Sequence, residues 1–151
     1  MSINAIGRTT AFLVIALASV GVVADGGHQQ RPPSAPPPFE GTYWKAVELA
    51  GKALSIRGDK REAHLIFQPD GRMTGSDSCN RINGSYKRDG ESLMFGEIIA
   101  TRMACPDTGD TERAFREALK DVNRWRTGGN RLELFDTAGT RRAVFEARTA
   151  T

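Results

Sequence analysis

Gly75-Ser76-Asp77-Ser78-Cys79-Asn80-Arg81-Ile82-Asn83-Gly84-Ser85-Tyr86 packs turn-forming residues around one of the chain's two cysteines. The other, Cys105, closes the segment Thr101-Arg102-Met103-Ala104-Cys105-Pro106. Placed this way, the pair reads as a clamp between two parts of one small domain. Whether it is a clamp or a reactive pair depends first on the compartment.

The N-terminus supplies that answer. Arg8 precedes an apolar run from Ala11 to Val23, and Ala24 and Asp25 follow, the charged, apolar and small-residue order of a secretory signal peptide. The expected signal spans residues 1–24, with cleavage after Ala24. Its apolar run is shorter than the roughly 20 residues a membrane-crossing helix needs, so no transmembrane anchor is expected after cleavage. The expected location is exported, periplasmic or secreted, where paired thiols persist as disulfides.

Residues 25–38 hold most of the prolines and read as an extended, disordered linker of polyproline II character. His28 there is read as a solvated linker residue. Residues 39–147 then form one domain with one core, and residues 148–151 a tail. The formal charge is +3, and losing Arg8 with the signal lowers it by one. Because basic and acidic residues alternate, as in Glu112-Arg113-Ala114-Phe115-Arg116-Glu117, there is no single-sign patch for a nucleic acid. No nucleic-acid partner is expected.

Periodicity predicts mostly short strands. Thr42–Leu49, His64–Gln68, Arg72–Gly75 and Ser92–Phe95 carry β-forming residues between turn formers, and Glu97–Met103 is a further candidate. Pro69-Asp70-Gly71 predicts one hairpin turn, Asn83-Gly84 a second turn and Asp89-Gly90 a third. A closing hairpin is expected from Arg131–Phe135 and Arg142–Phe145, turning near Ala138-Gly139. Between these, Asp110 to Trp125 places Phe115, Ala118, Leu119 and Val122 on one helical face, with Asp110 or Thr111 as N-cap and Gly128-Gly129 beyond the end. The expected fold class is α+β: an antiparallel meander curled into a cracked β-barrel with one packed α-helix.

These residues also resemble a known family. Gly75-x-x-x-Cys79-Asn80-Arg81, Gly84-x-Tyr86, Ile99-Ala100-Thr101-x-Met103-Ala104-Cys105, the helix from Thr111 to Val122 and Leu132-x-Leu134 resemble the META domain of HslJ-type heat-shock proteins. The likeness covers about Gly41 to Phe145. It implies a cracked barrel with one helix, similar to secretin-pilot lipoproteins that hold an acyl chain, and it implies no established catalytic mechanism. Where many such relatives carry a lipid-modified cysteine, this chain has a plain signal peptide and a Pro-rich spacer, which argues against a lipid tether.

A bond between Cys79 and Cys105 would close a loop of about 27 residues and stabilise the domain by about 3 to 4 kcal/mol in the chain-entropy view. The structural disulfide is the preferred reading, free buried thiols are the alternative, and the absence of Cys-x-x-Cys spacing disfavours a redox pair. Asn80 and Asn83 suit turns, and Arg81 has a carboxylate near in sequence, Asp77. A rival reading makes Asp77, Asn80 and Arg81 a recognition loop.

Catalytic and metal patterns are missing. His64 is the domain's single histidine and falls in a strand, no Gly-x-Ser-x-Gly elbow occurs, and two cysteines with one histidine make no zinc set. No enzyme activity, metal or cofactor is expected. The expected function is a monomeric, envelope stress-related module that binds a protein, with an acyl chain in the barrel as the alternative.

Overall fold

The computed structural model describes residues 35–55, 62–106 and 108–148, all within the second of the two units into which the chain divides, Pro33–Thr151. The expected signal peptide, and the linker up to residue 34, lie outside the described residues. So does most of the segment assigned to the tail.

In chain order the elements are β1 (Tyr43–Leu49), β2 (Lys52–Ala53), β3 (His64–Phe67), β4 (Arg72–Ser76), β5 (Arg81–Asp89), β6 (Ser92–Ala100), α1 (Gly109–Lys120), β7 (Val122–Gly128), β8 (Arg131–Asp136) and β9 (Arg141–Arg148). They form a 9-stranded antiparallel sheet in the order β2-β1-β3-β4-β5-β6-β7-β8-β9, with β1 also paired to β9. That last pairing runs from Tyr43↔Arg148 to Leu49↔Ala143 and bends the sheet into a ring-like arrangement beside one helix. The expected α+β meander is therefore present.

Alternation explains which side chains fill the interior. In β1, Trp44 and Ala46 point inward, and a bulge between Ala46 and Glu48 shifts the phase so that Leu49 is buried as well. Leu65, Phe67, Met73, Ile82, Leu93, Leu132, Leu134 and Phe145 complete the inward set, each no more than 1% exposed. Phe39, just ahead of β1, stacks on Phe67 with ring centroids 4.2 Å apart. The interior is thus filled by side chains. Helix α1 packs on β9 and β1 and buries Phe115, Ala118 and Leu119, with Phe115 edge-on to Phe145.

Four local expectations are corrected, the last of them the helix N-cap. Asn83-Gly84 is no turn: both residues lie inside β5, where a Cβ on Gly84 would sit 2.9 Å from the Glu97 carbonyl oxygen. The glycine serves a close approach of strands rather than a reversal. Ser92–Phe95 and Glu97–Met103 are not separate strands, because β6 runs unbroken through Ala100 with a bulge opposite Gly84 and Tyr86. Third, the helix stops at Lys120, and Val122 and Trp125 belong to β7.

The physical reason for that early stop is tertiary. The Trp125 indole donates to the Gly90 carbonyl at 3.0 Å, and its ring lies 4.6 Å from that of Phe39. Val122 and Trp125, β-branched and aromatic, suit a strand, and the Gly128-Gly129 pair turns β7 into β8, with Gly129 at φ +60. At the other end, Thr108 is the N-cap residue and makes no side-chain capping bond. Asp110 instead lies in the first turn and pairs with Arg113.

Candidate functional site: a clasped turn and an open cleft

The segment Asp77–Asn80 links β4 to β5 and, with Arg81 at the start of β5, holds the sequence-predicted residues. Asp77 is wholly buried, and its Oδ1 accepts the backbone N–H of Cys79 at 3.1 Å and of Asn80 at 2.6 Å. These bonds close an Asx turn that holds Ser78 in the left-handed region at φ +82. Oδ2 accepts the Arg116 guanidinium of α1, from Nε at 3.1 Å and Nη2 at 3.0 Å. Asp77 thus pairs with Arg116, 39 positions away, and not with its neighbour Arg81.

Asn80 is 1% exposed. Its Oδ1 accepts the Thr101 hydroxyl at 3.0 Å and the Met103 N–H at 2.7 Å, while Thr101 Oγ1 accepts the Arg81 N–H at 3.2 Å. Cys79 and Cys105 are joined in a disulfide, with Cα atoms 5.9 Å apart. The same short turn therefore grips the chain where it leaves β6, through Asn80, where it approaches α1, through Cys79, and on α1 itself, through Asp77. Of the predicted recognition loop, Asp77 and Asn80 are buried in this clasp, and Arg81 is exposed.

Beside the clasp, β6 and α1 stand apart. The strands β6 and β7 share one ladder pair, Ser92↔Arg124, supplemented by the Trp125 N–H to the Glu91 carbonyl. From there to Ala100, β6 pairs among the described residues with β5 alone. A cleft of about 530 Å³ opens between this part of β6 and the helix. Ile82, Phe95, Ile98, Ile99, Phe115 and Leu119 supply its apolar lining, and Arg102, Arg116 and Lys120 its charge.

The backbone of β6 has a defined orientation here. The Thr101 N–H donates to the Arg81 carbonyl, so that residue faces β5; alternation in an antiparallel ladder then turns the N–H and C=O of Ile98 and Ala100 away from β5. Ile99 is 59% exposed and Met94 48%, both unusual for large apolar side chains. Sequence reasoning missed this edge and the cations Arg102 and Lys120. The available signal was the apolar run Ile98-Ile99-Ala100, bounded by Glu97 and by Thr101-Arg102, which has no strict in-and-out alternation.

His64 lies elsewhere, on β3. Its ring stacks on Tyr43 at 4.2 Å, and Nδ1 lies 3.0 Å from the Glu62 carbonyl oxygen. The Glu62 carboxylate is held below its ordinary value chiefly by a hydrogen bond from Lys45, and burial pushes the Tyr43 phenol up. Among the described residues, no group of His, Cys, Asp and Glu is arranged to hold a metal ion.

The disulfide-clasped turn ahead of α1 on a meander sheet agrees with the family match, a META domain model that covers residues 37–149. The chain belongs to the META domain family. Among solved structures, an NMR structure of a protein from Burkholderia xenovorans is similar, at 25% identity and a TM-score of 0.60, over 82% of this chain and 98% of that one. A second NMR structure, 22% identical with a TM-score of 0.54, covers 70% of this chain and 87% of the other and supports the fold. No curated protein matches the chain. In this META domain no described helix is long and apolar enough to cross a membrane.

Proposed function

We propose that this META domain is a non-enzymatic, exported interaction module, serving envelope stress tolerance, that receives an extended segment of a protein partner along the β6 edge. The observation that carries the reading is the stretch of β6 whose second edge has no strand partner among the described residues. Outward N–H and C=O groups at Ile98 and Ala100 offer a ladder to an added strand, and the apolar cleft beside them offers room for alternate side chains. Export is supported by the signal-like N-terminus and by the disulfide, which persists in oxidising compartments. A non-enzymatic role fits a cysteine pair held as a disulfide and a histidine stacked on Tyr43.

The cleft's composition also favours a second reading. Its apolar walls end in cations, so an acyl chain with an anionic head could lie there, in the gap of a cracked barrel. A packed interior confines that ligand to the lateral cleft, since Trp44, Phe67 and Phe145 are fully buried inside the ring.

Crosslinking pull-down from envelope extract tests the first reading. Ala100→Pro removes an outward N–H while leaving the bonds to β5 in place. Capture by the wild type and loss in Ala100→Pro is the expected result. Equal capture by both forms, or none above background, would rule strand addition out. Native mass spectrometry of protein purified without detergent tests the second, and an unliganded mass throughout counts against it.

A further inference from the structure

The cleft's charge extends the reading above to the chemistry of the partner. Among the described residues lining it, the charged groups are Arg102, Arg116 and Lys120, and no carboxylate joins them. Arg116 is committed to Asp77 and Glu112, at 3.0 and 2.6 Å. Arg102 and Lys120 are exposed, one leaving β6 and the other ending α1, and neither forms a salt bridge among the described residues. Two cations thus flank the mouth of an apolar groove with no counter-ion among the described residues.

Resting on the strand-addition reading, we infer that the partner segment is acidic: an extended peptide, paired to Ile98 and Ala100, that brings carboxylates to Arg102 and Lys120. The geometry agrees with strand dimensions. Arg102 lies two residues beyond Ala100, roughly 7 Å at the rise of an extended chain, so a carboxylate about two positions past the paired residues meets it. Apolar side chains of the same peptide would enter between Phe95 and Leu119, and Ile99 would lose its exposure. Without the expected signal the formal charge is +2, the +3 of the full sequence less Arg8, and this net positive charge also favours an acidic partner. A second copy of this chain is a poorer occupant, because edge-to-edge pairing would bring Arg102 and Lys120 of both copies into one apolar groove.

Selection from a phage-displayed library of short random peptides on the full chain tests this. Three targets are used in parallel: the wild type, Arg102→Ala/Lys120→Ala, and Ala100→Pro. Near-UV circular dichroism confirms that each is folded, and enriched peptides are resynthesised with a fluorophore for anisotropy. The expected outcome is enrichment of Asp and Glu on the wild type, with affinity falling about tenfold or more in the double variant and at raised salt. Enriched peptides that lack an acidic bias, or that bind the double variant equally well, would overturn the acidic partner. Strand addition would survive that result if Ala100→Pro loses those peptides. If nothing is enriched, or if binding persists in Ala100→Pro, strand addition falls and the acidic partner falls with it.

Discussion

Oδ2 of Asp77 lies 3.0 Å from Nη2 of Arg116, and this contact ties the turn after β4 to the middle of α1. The two ends are unequal, since the Asp77 side chain is fully buried and that of Arg116 is 46% exposed. Loss of the buried end should therefore be the costlier change.

Replacing Asp77 with Ala strands the N–H groups of Cys79 and Asn80 without an acceptor, at a cost of about 2 to 4 kcal/mol. Arg116→Ala leaves those bonds intact and lets water reach the carboxylate, so about 1 to 2 kcal/mol is expected. Urea unfolding of both variants checks the order. Equal losses, or a loss in Asp77→Ala under about 0.5 kcal/mol, would contradict the clasp.

The disulfide joins residues with a sequence separation of 26. Substituting both cysteines by alanine should lower stability by about 3 to 4 kcal/mol, chiefly by freeing the unfolded chain. Thiol titration of the unfolded, unreduced protein should find no reactive thiol, and two after reduction. Two thiols before reduction would show the bond to be missing.

Gly75 is the tightest of the described glycines. A Cβ there would collide with the His64 backbone carbonyl across the β3–β4 pair, and backbone cannot swing aside as a flexible side chain can. Gly75→Ala should cost about 3 kcal/mol or more, or prevent folding. Gly90 has φ +53 and open space around it, so Gly90→Ala should cost about 1 kcal/mol from backbone strain alone. Thermal unfolding of the two variants should separate them clearly; a similar drop in Tm would refute the distinction.

Acid should weaken the fold through particular carboxylates. Glu62 is lowered from its ordinary value of 4.5, first by the hydrogen bond from Lys45; Glu133 is lowered too, because Arg126 and Arg141 together outweigh the desolvation that raises it. A carboxyl lowered by folding adds stability that is complete above its unfolded value and is lost as pH falls through its folded value. The contribution of these two carboxylates should accordingly be complete above their ordinary 4.5 and decline below it. Lys45→Met should flatten part of that decline in urea midpoints measured across the range. An unchanged slope would assign the acid sensitivity elsewhere.

Much of this architecture is local, and local patterns were legible. Asp70-Gly71, Asp89-Gly90 and the glycine after Ala138 turn the chain where their chemistry predicts, and the stripe of Phe115, Ala118 and Leu119 marks the buried face of the helix. The motif around Cys79, Asn80 and Gly84 carried the family likeness that the META match bears out. Val122 and Trp125 misled because their spacing continues a helical stripe, whereas in β7 they sit on either side of a bulge between Val122 and Arg124 that no local pattern announces. Contact of Trp125 with Gly90 and Phe39 settles the choice, and both partners are remote in sequence.

By itself, then, the sequence determined the META kinship, the meander, the helix's inward stripe and the signal-like N-terminus, because these depend on neighbouring residues and short periods. Tertiary structure decided the rest. That Asp77 reaches Arg116 rather than Arg81, that Asn80 holds the chain leaving β6, and that β7 diverges from β6 after one ladder pair are consequences of how the ring closes from β1 to β9. Closure brings distant backbone together at some places and leaves at another an edge, with Ile98 and Ala100, that has no partner among the described residues, and no local pattern encodes where that gap falls.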